Sequence, residues 1–437
     1  MRNLLPCIVL ACLLPCGHLR AASEPANPVP VPPEPFDLKT CYELAVLRSD
    51  TLGMKEEDIR IAQARYWQAF SGVLPKIHYT TSESIQNMAA GGSSSSGSSS
   101  SSTVSAASKD KLSTGFNVTQ PIFRGLREWS AASAAKADIE ARKQDKQRYY
   151  QLLYQDVSDV FYQILMYEGD LLIFYKVEKS LNERLAELDR RVRLGKSLLS
   201  EMLMTQTDLA GIQATIEGVR GSIGASREIM AFLTGVPASQ FKLKDTQPFP
   251  TSDALEKYLV ESGERPDILA AIQSERSATK LLSAAKGEHW PTLSATGNYY
   301  MKQHPDRGLD WDLALVCDMP LFEGGLIEAK VTEQKARLQQ SHLSLDQTRR
   351  NTDKDVRVAY NNFISSSVQY VRLREATAIA AKNYEVQQQD YRIGAASNLD
   401  VLEALKQKYL MERSLLDAEM AARADLIGLH VAAGVIK

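Results

Sequence analysis

Apolar side chains recur along this chain in two rhythms, every second residue in some stretches and every third or fourth in others. The period of two is clearest from Leu309 to Met319, where Leu309, Trp311, Leu313, Leu315, Cys317 and Met319 alternate with Asp310, Asp312, Ala314, Val316 and Asp318. Alternation of this kind predicts a β-strand with one apolar and one polar face. A second strand is expected over 292–301, with Leu293, Ala295, Tyr299 and Met301 on one side. The turn cluster His304-Pro305-Asp306-Arg307-Gly308 joins the two. A similar hairpin is expected from strands near 76–85 and 111–120, with a Ser/Gly loop over 89–110 at its tip. That tract buries no apolar surface and reads as a flexible insertion.

The longer rhythm predicts helices. Val157, Val160, Phe161, Ile164 and Leu165 recur at helical spacing within a span, 126–194, that lacks proline and contains only Gly169 before its closing Leu194. The span 326–393 has neither proline nor glycine. Each would extend on the order of 100 Å as a continuous helix. Helices of that length need coiled-coil-like neighbours rather than a globular core, and alanines such as Ala131, Ala134 and Ala135 permit close approach. Gly195 and Gly394 stand where a left-handed residue would end each long helix. Return helices are expected over 199–234 and 398–433, with Ser200 and Asn398 as their caps. Pro121 and Pro320 mark the two strand-to-helix transitions.

These elements are a tandem repeat. Pro121-Ile122-Phe123-Arg124-Gly125 recurs as Pro320-Leu321-Phe322-Glu323-Gly324, at an offset of 199. The same offset carries Asp156-Val157 onto Asp355-Val356, Arg193-Leu194-Gly195 onto Arg392-Ile393-Gly394, and Gly235-Val236 onto Gly434-Val435. The resulting map places the first repeat over 36–236, a connection over 237–264 and the second repeat over 265–437.

Charge and leader refine the picture. With 51 basic and 53 acidic residues, nothing points to a nucleic-acid partner. Residues 1–22 read as a secretory signal peptide, followed by a Pro-rich linker over 23–35. A lipoprotein alternative would place Val9-Leu10-Ala11 before Cys12. After signal cleavage only Cys41 and Cys317 remain, in a helix and a strand, and a disulfide between them has no support from the sequence. No stretch beyond the leader has the apolar length of a spanning helix, so any membrane section must consist of strands. Strands of about ten residues suit a tilted bilayer crossing, although alternation by itself also fits a half-buried hairpin on a soluble domain. Four strands cannot close a barrel, and lipid does not tolerate open edges. The membrane reading therefore requires several chains, and three would supply about twelve strands around an aqueous lumen. Tyr79, Phe116, Tyr299 and Trp311 are candidates for interfacial girdles or, equally, for a plain core.

The motifs in this order resemble the TolC-like outer-membrane efflux proteins over essentially the whole mature chain. The resemblance rests on Leu74-Pro75 before the first strand, Arg265-Pro266-Asp267 opening the second half, Pro-x-Phe-x-Gly after each hairpin, and the paired Arg-x-Gly turns. It implies a mainly α protein with a membrane β-barrel. In that fold each protomer is a repeat of helix, strand, strand, long helix and helix. Its four strands join a homotrimeric barrel of twelve, continued by an α-helical periplasmic tunnel. An equatorial belt would draw on Phe36 to Asp50, Pro237 to Glu264 and Ala433 to Lys437.

The implied role is a passive duct in a tripartite efflux or type I secretion system. It would sit in the outer-membrane lipid of a Gram-negative bacterium, with a periplasmic adaptor (membrane fusion) protein and an inner-membrane pump of RND or ABC type as partners. By position from Gly394, the aperture carboxylates would be Asp400 and Glu403. Being three apart, they share a helix face, and three copies would form a ring of about six carboxylates. Tyr391 would tie this helix pair to Glu201 of the first repeat. Where the family's best-known member has an arginine two residues beyond the glycine, this chain has Ala396. The turns Leu194-Gly195-Lys196 and Ile393-Gly394-Ala395 resemble the adaptor-docking tips.

Other classes are weakly supported. The six histidines are scattered, with no pair at metal-ligand spacing, and neither a phosphate loop nor a nucleophile elbow occurs. No enzyme, cofactor or resident metal is expected. The serious rival is a non-channel periplasmic coiled-coil scaffold or adaptor, which would not be expected to carry duplicated strand hairpins.

Overall fold

The computed structural model describes residues 35–85, 110–245, 247–304 and 310–436. The expected signal peptide, most of the Pro-rich linker, nearly all of the Ser/Gly loop and the Pro305–Gly308 turn lie outside the described residues. The first repeat contains α1 (Leu38–Arg48), α2 (Asp50–Phe70), β1 (Lys76–Ile85), β2 (Asp110–Arg124), α3 (Arg127–Arg193) and α4 (Leu199–Thr234). A connecting helix α5 (Leu255–Glu261) leads to α6 (Pro266–Lys286), β3 (Thr292–His304), β4 (Trp311–Asp318), α7 (Leu326–Ile393) and α8 (Asn398–Ala433). The two long helices contain 67 and 68 residues. Among the described residues no helix is long and apolar enough to cross a membrane.

The strands form one antiparallel sheet in the order β1-β2-β3-β4. Its register sorts side chains into rows. Tyr79 faces Phe116, Phe116 faces Tyr299, and Tyr299 faces Trp311, so one aromatic row crosses all four strands. The adjacent row on that face is Ile77, Val118, Gly297 and Leu313. Between them runs His78, Asn117, Asn298 and Asp312, which projects from the opposite face. There the Asn117 side-chain amide donates to Asn298 at 2.7 Å, and that of Asn298 donates to Asp312 at 3.0 Å. The aromatic row is not a core. Trp311 is 66 % exposed and Leu313 72 % exposed, with no second layer over them among the described residues. A single sheet with one apolar and one hydrogen-bonded polar face has the pattern of a membrane barrel wall.

The helices continue the strands in the same lateral order. α2 leads into β1, α3 follows β2, α6 leads into β3 and α7 follows β4, and these helices pack side by side as α2-α3-α6-α7. Further along, α4 returns beside α3, and α8 lies between α3 and α7. The layer therefore ends on one side with β1, α2 and α4 and on the other with β4 and α7. Both borders are apolar and uncovered in the protomer: Phe232 and Ile229 on α4, Val371, Ile379 and Val386 on α7.

The sheet departs from the sequence expectation at His304, which lies at the end of β3 rather than in the turn, and at Pro121. Pro121 does not end its strand. It pairs with Ser294 at a register shift, and β2 continues to Arg124 because the irregularity absorbs the missing amide donor. Gly115 occupies the other register shift, where a Cβ would stand 2.2 Å from the Tyr299 carbonyl oxygen. The close backbone approach requires glycine there.

Midway along the long helices the smaller elements converge. Phe36, Leu44, Val157, Phe161, Met230 and Phe241 form a buried cluster, each large apolar side chain contributing about 1.5–3 kcal/mol through burial. The Phe36 amide donates to Lys242 at 2.9 Å, and that of Lys244 donates to Phe36 at 3.0 Å, binding the connection to α1 as a short parallel bridge. The last carbonyls of α8 accept from Arg148 (Val431, 2.7 Å) and Arg265 (Ala432, 3.0 Å). The side-chain amide of Gln151 donates to Gly434 and Ile436 just beyond. Cationic donors suit a helix C-terminus, which explains the arginine of Arg265-Pro266-Asp267. Cys41 and Cys317 are both free, one buried and one exposed on β4; burial pushes the Cys41 thiol up to about 12.

Candidate functional site

The ends of α3 and α7 farthest from the sheet turn sharply into α4 and α8. Gly195 and Gly394 adopt left-handed φ of 67° and 81° at these turns. The amides of Lys196 and Ala395 fold back to the carbonyls of Arg191 and Asp390, each at 2.8 Å. Leu194 and Ile393 project into solvent from the two turns, with Leu198, Leu199 and Leu399 close behind in sequence. Gly195, Lys196, Gly394 and Ala395 are exposed as well. The three leucines were not singled out from the sequence, since at a helix start they read as ordinary buried positions.

The expected caps are displaced by one or two residues. The residue capping α8 is Ser397, whose side chain accepts from the Asp400 amide at 3.2 Å. Asp400 in turn accepts from the Ser397 amide at 2.8 Å and hydroxyl at 2.6 Å. These bonds hold the Asp400 carboxyl below its usual range. In the first repeat Ser200 lies inside the first turn of α4, and Glu201 takes the corresponding part. Its carboxylate accepts from the Ser197 hydroxyl and from the Leu198 amide at 3.4 Å. Glu403 stays on the exposed face of α8 beside Asp400, accepting from Gln407 at 2.9 Å.

Tyr391 is buried, and its ring faces arginines of α3. The Arg184 guanidinium carbon lies 3.4 Å from the ring centre and that of Arg191 4.4 Å. Glu187 accepts from Arg184 at 3.2 Å and pairs with Arg191 at 2.7 Å, holding both in place. Asn398 is buried as well, and it joins three helices. It accepts from Arg184 Nε at 2.8 Å and donates to Thr205 Oγ1 at 3.2 Å and to the Glu201 carbonyl at 3.4 Å. The structure thus gathers Tyr391 and Asn398 about Arg184, while the carboxylates of Glu201, Asp400 and Glu403 point to partners of their own helix ends.

Arg184, Thr205 and Asn398 were missed as a set, but the sequence holds a signal for them. At the repeat offset they correspond to Asn383, Ala404 and Leu199. At Thr205 and Asn398 a polar residue stands where the other copy is apolar, which marks a contact specific to one repeat; Arg184, opposite a polar asparagine, carries no such signal.

The outer membrane efflux protein family model matches residues 41–236 and 261–435. The chain belongs to that outer-membrane family, whose members are channel proteins rather than enzymes. It is 26 % identical over 344 residues to the outer membrane protein TolC of Vibrio cholerae, covering 75 % of this chain and 77 % of that protein. It is 21 % identical over 417 residues to the cation efflux system protein CusC of Escherichia coli K12, covering 91 % and 86 %. Among solved structures, VceC from Vibrio cholerae superposes with a TM-score of 0.80 at 18 % identity, covering 91 % of this chain and 96 % of that one. A CusC structure gives 0.79 at 20 % identity, covering 94 % and 98 %.

Proposed function

We propose that the protein is the outer-membrane duct of a tripartite efflux or type I secretion system, passive and trimeric. The observation that carries this reading is the coincidence of borders. The sheet and the helical layer both end on the same two sides, and both leave unpaired strand edge or apolar helix face there. One closure, between the border of β1, α2 and α4 and that of β4 and α7 in the next copy, covers all of it. Two copies would make a barrel of about eight strands, whose interior side chains fill, whereas three give about twelve and a wet lumen. The polar row His78, Asn117, Asn298 and Asp312 would line it.

The duct would be gated at the helical tip. Asp400 and Glu403 of three copies would ring the axis and favour cations. The Leu194-Gly195-Lys196 and Ile393-Gly394-Ala395 turns, with the exposed leucines beside them, would receive a periplasmic adaptor linking the duct to an inner-membrane pump. The particle mass in detergent tests the assembly: three chains per particle are expected, and a stable monomer that stays soluble without detergent would favour a periplasmic scaffold instead.

A further inference from the structure

We infer that the seam between neighbouring copies repeats the seam between the two halves of one chain, which sets β4 against β1 of the next copy in a single register. The inference rests on the closed-barrel reading above. The two hairpins share one register: Lys76 faces Thr119 in the first, and Thr292 faces Asp318 in the second. The steps from one hairpin to the other, 216 for the entry strand and 199 for the exit strand, are those of the duplication itself. Within the chain, the exit strand of the first hairpin, β2, meets the entry strand of the second, β3. The open edges are again an exit strand, β4, and an entry strand, β1. Closure by rotation joins these two, and the β2–β3 seam is its template.

Carried through those offsets, the β2–β3 pairs Arg124–Thr292, Phe123–Leu293, Gln120–Ala295 and Val118–Gly297 become Glu323–Lys76, Phe322–Ile77, Met319–Tyr79 and Cys317–Thr81. The transferred partners suit one another: an acid meets a base, Phe322 meets Ile77, and Met319 meets an aromatic ring. Each of these residues is exposed in the single chain. Their faces agree as well. Ile77 and Tyr79 project from the apolar face, and Cys317 does so with Leu313, whereas a slip of one residue would oppose the two faces. The template also explains unequal strand lengths. Residues 120–124 of β2 pair only with β3, and their equivalents beyond Asp318 lack that partner, so β4 stops there. Yet Gly125 and Gly324 already share a φ of 62°. Just below the strands the copy loosens. Ser71 stands where the in-chain seam has Gly287, at which a Cβ would lie 2.5 Å from the Gly125 carbonyl oxygen. The serine therefore holds α2 slightly farther from the neighbouring Gly324.

The native thiol of Cys317 gives the test. Thr81→Cys places a second thiol directly across the seam, where facing Cβ atoms stand about 5 Å apart, against about 7–8 Å for a diagonal neighbour. Tyr79→Cys, Thr81→Cys and Glu83→Cys, each in the full chain, are oxidised in detergent and run on non-reducing gels, with particle mass measured in parallel. Thr81→Cys should form interchain disulfides on the order of tenfold faster than the other two, and adding Cys317→Ser should abolish them. If Thr81→Cys does not assemble, Tyr79→Cys combined with Met319→Cys in a Cys317→Ser background reports the same register. Fastest linkage from Tyr79→Cys or Glu83→Cys, or no linkage from any variant in particles of several chains, would overturn the inference and leave the duct reading standing. A chain that stays monomeric would remove both.

Discussion

Asp170 of α3 receives both arms of Arg413 from α8, at 3.0 and 2.9 Å, and is itself 2 % exposed. This ion pair joins the two repeats between the midsection and the tip. Burying a carboxylate is costly unless it is paired with good geometry, and removing one partner strands the other. Asp170→Ala should therefore destabilise the folded chain by about 3 kcal/mol, read as a lower urea midpoint at unchanged slope. Replacing both residues by apolar ones should cost less than the single change.

Arg265 and Asp267 make the second prediction. Arg265 is 3 % exposed and donates to both oxygens of Asp267, at 2.7 and 2.6 Å. Burial alone would raise the Asp267 pKa, but the hydrogen bonds and charge of Arg265, helped by Arg148, lower it. A carboxyl depressed in the folded state contributes stability above its unfolded pKa and loses it as pH falls through the folded value. Stability should thus decline as the pH drops below about 4. Asp267→Asn should be less stable at neutral pH and should flatten that decline, measured as urea midpoints across the acid range.

Gly115 should tolerate no side chain. With the Tyr299 carbonyl 2.2 Å from the position of a Cβ, Gly115→Val would force β2 and β3 apart at their register shift. Outer-membrane incorporation and heat-resistant migration of the proposed trimer should both be lost, while Gly297→Ala, where the nearest atom is 3.7 Å away, should retain both.

The carboxylates of α8 should act unequally. Asp400 caps its helix through Ser397, so Asp400→Ala removes a cap worth about 1 kcal/mol as well as a charge. Glu403 has no such structural duty, and Glu403→Gln should weaken cation preference without changing thermal stability. Reversal potentials under a salt gradient check this, and an unchanged potential would remove Glu403 from the aperture.

The period-two stretches carried the strands, because each places apolar and polar side chains on opposite faces of one sheet. Their lateral order was not legible, since pairing between β2 and β3 depends on contacts nearly two hundred residues apart. The gapless 199-residue offset carried both long helices and their glycine turns. Caps were misplaced at Ser200 and Asn398 because two polar residues compete within a turn's length at each helix start, Ser197 with Ser200 before α4 and Ser397 with Asn398 before α8. At the tip the Tyr391 ring meets Arg184. That arginine lies ten residues before its turn, on a face that only the packing of α7 against α3 defines. Pro121 shows the same limit in the sheet: proline excludes a ladder donor, but only the partner strand decides whether a register shift accommodates it.

Single-channel recording on the purified mature protein, with particle mass determined on the same preparation, tests the central claim most directly. Discrete, cation-selective current steps from particles of three chains are predicted. A particle of another size, or a preparation that never inserts into the bilayer, would contradict a trimeric duct.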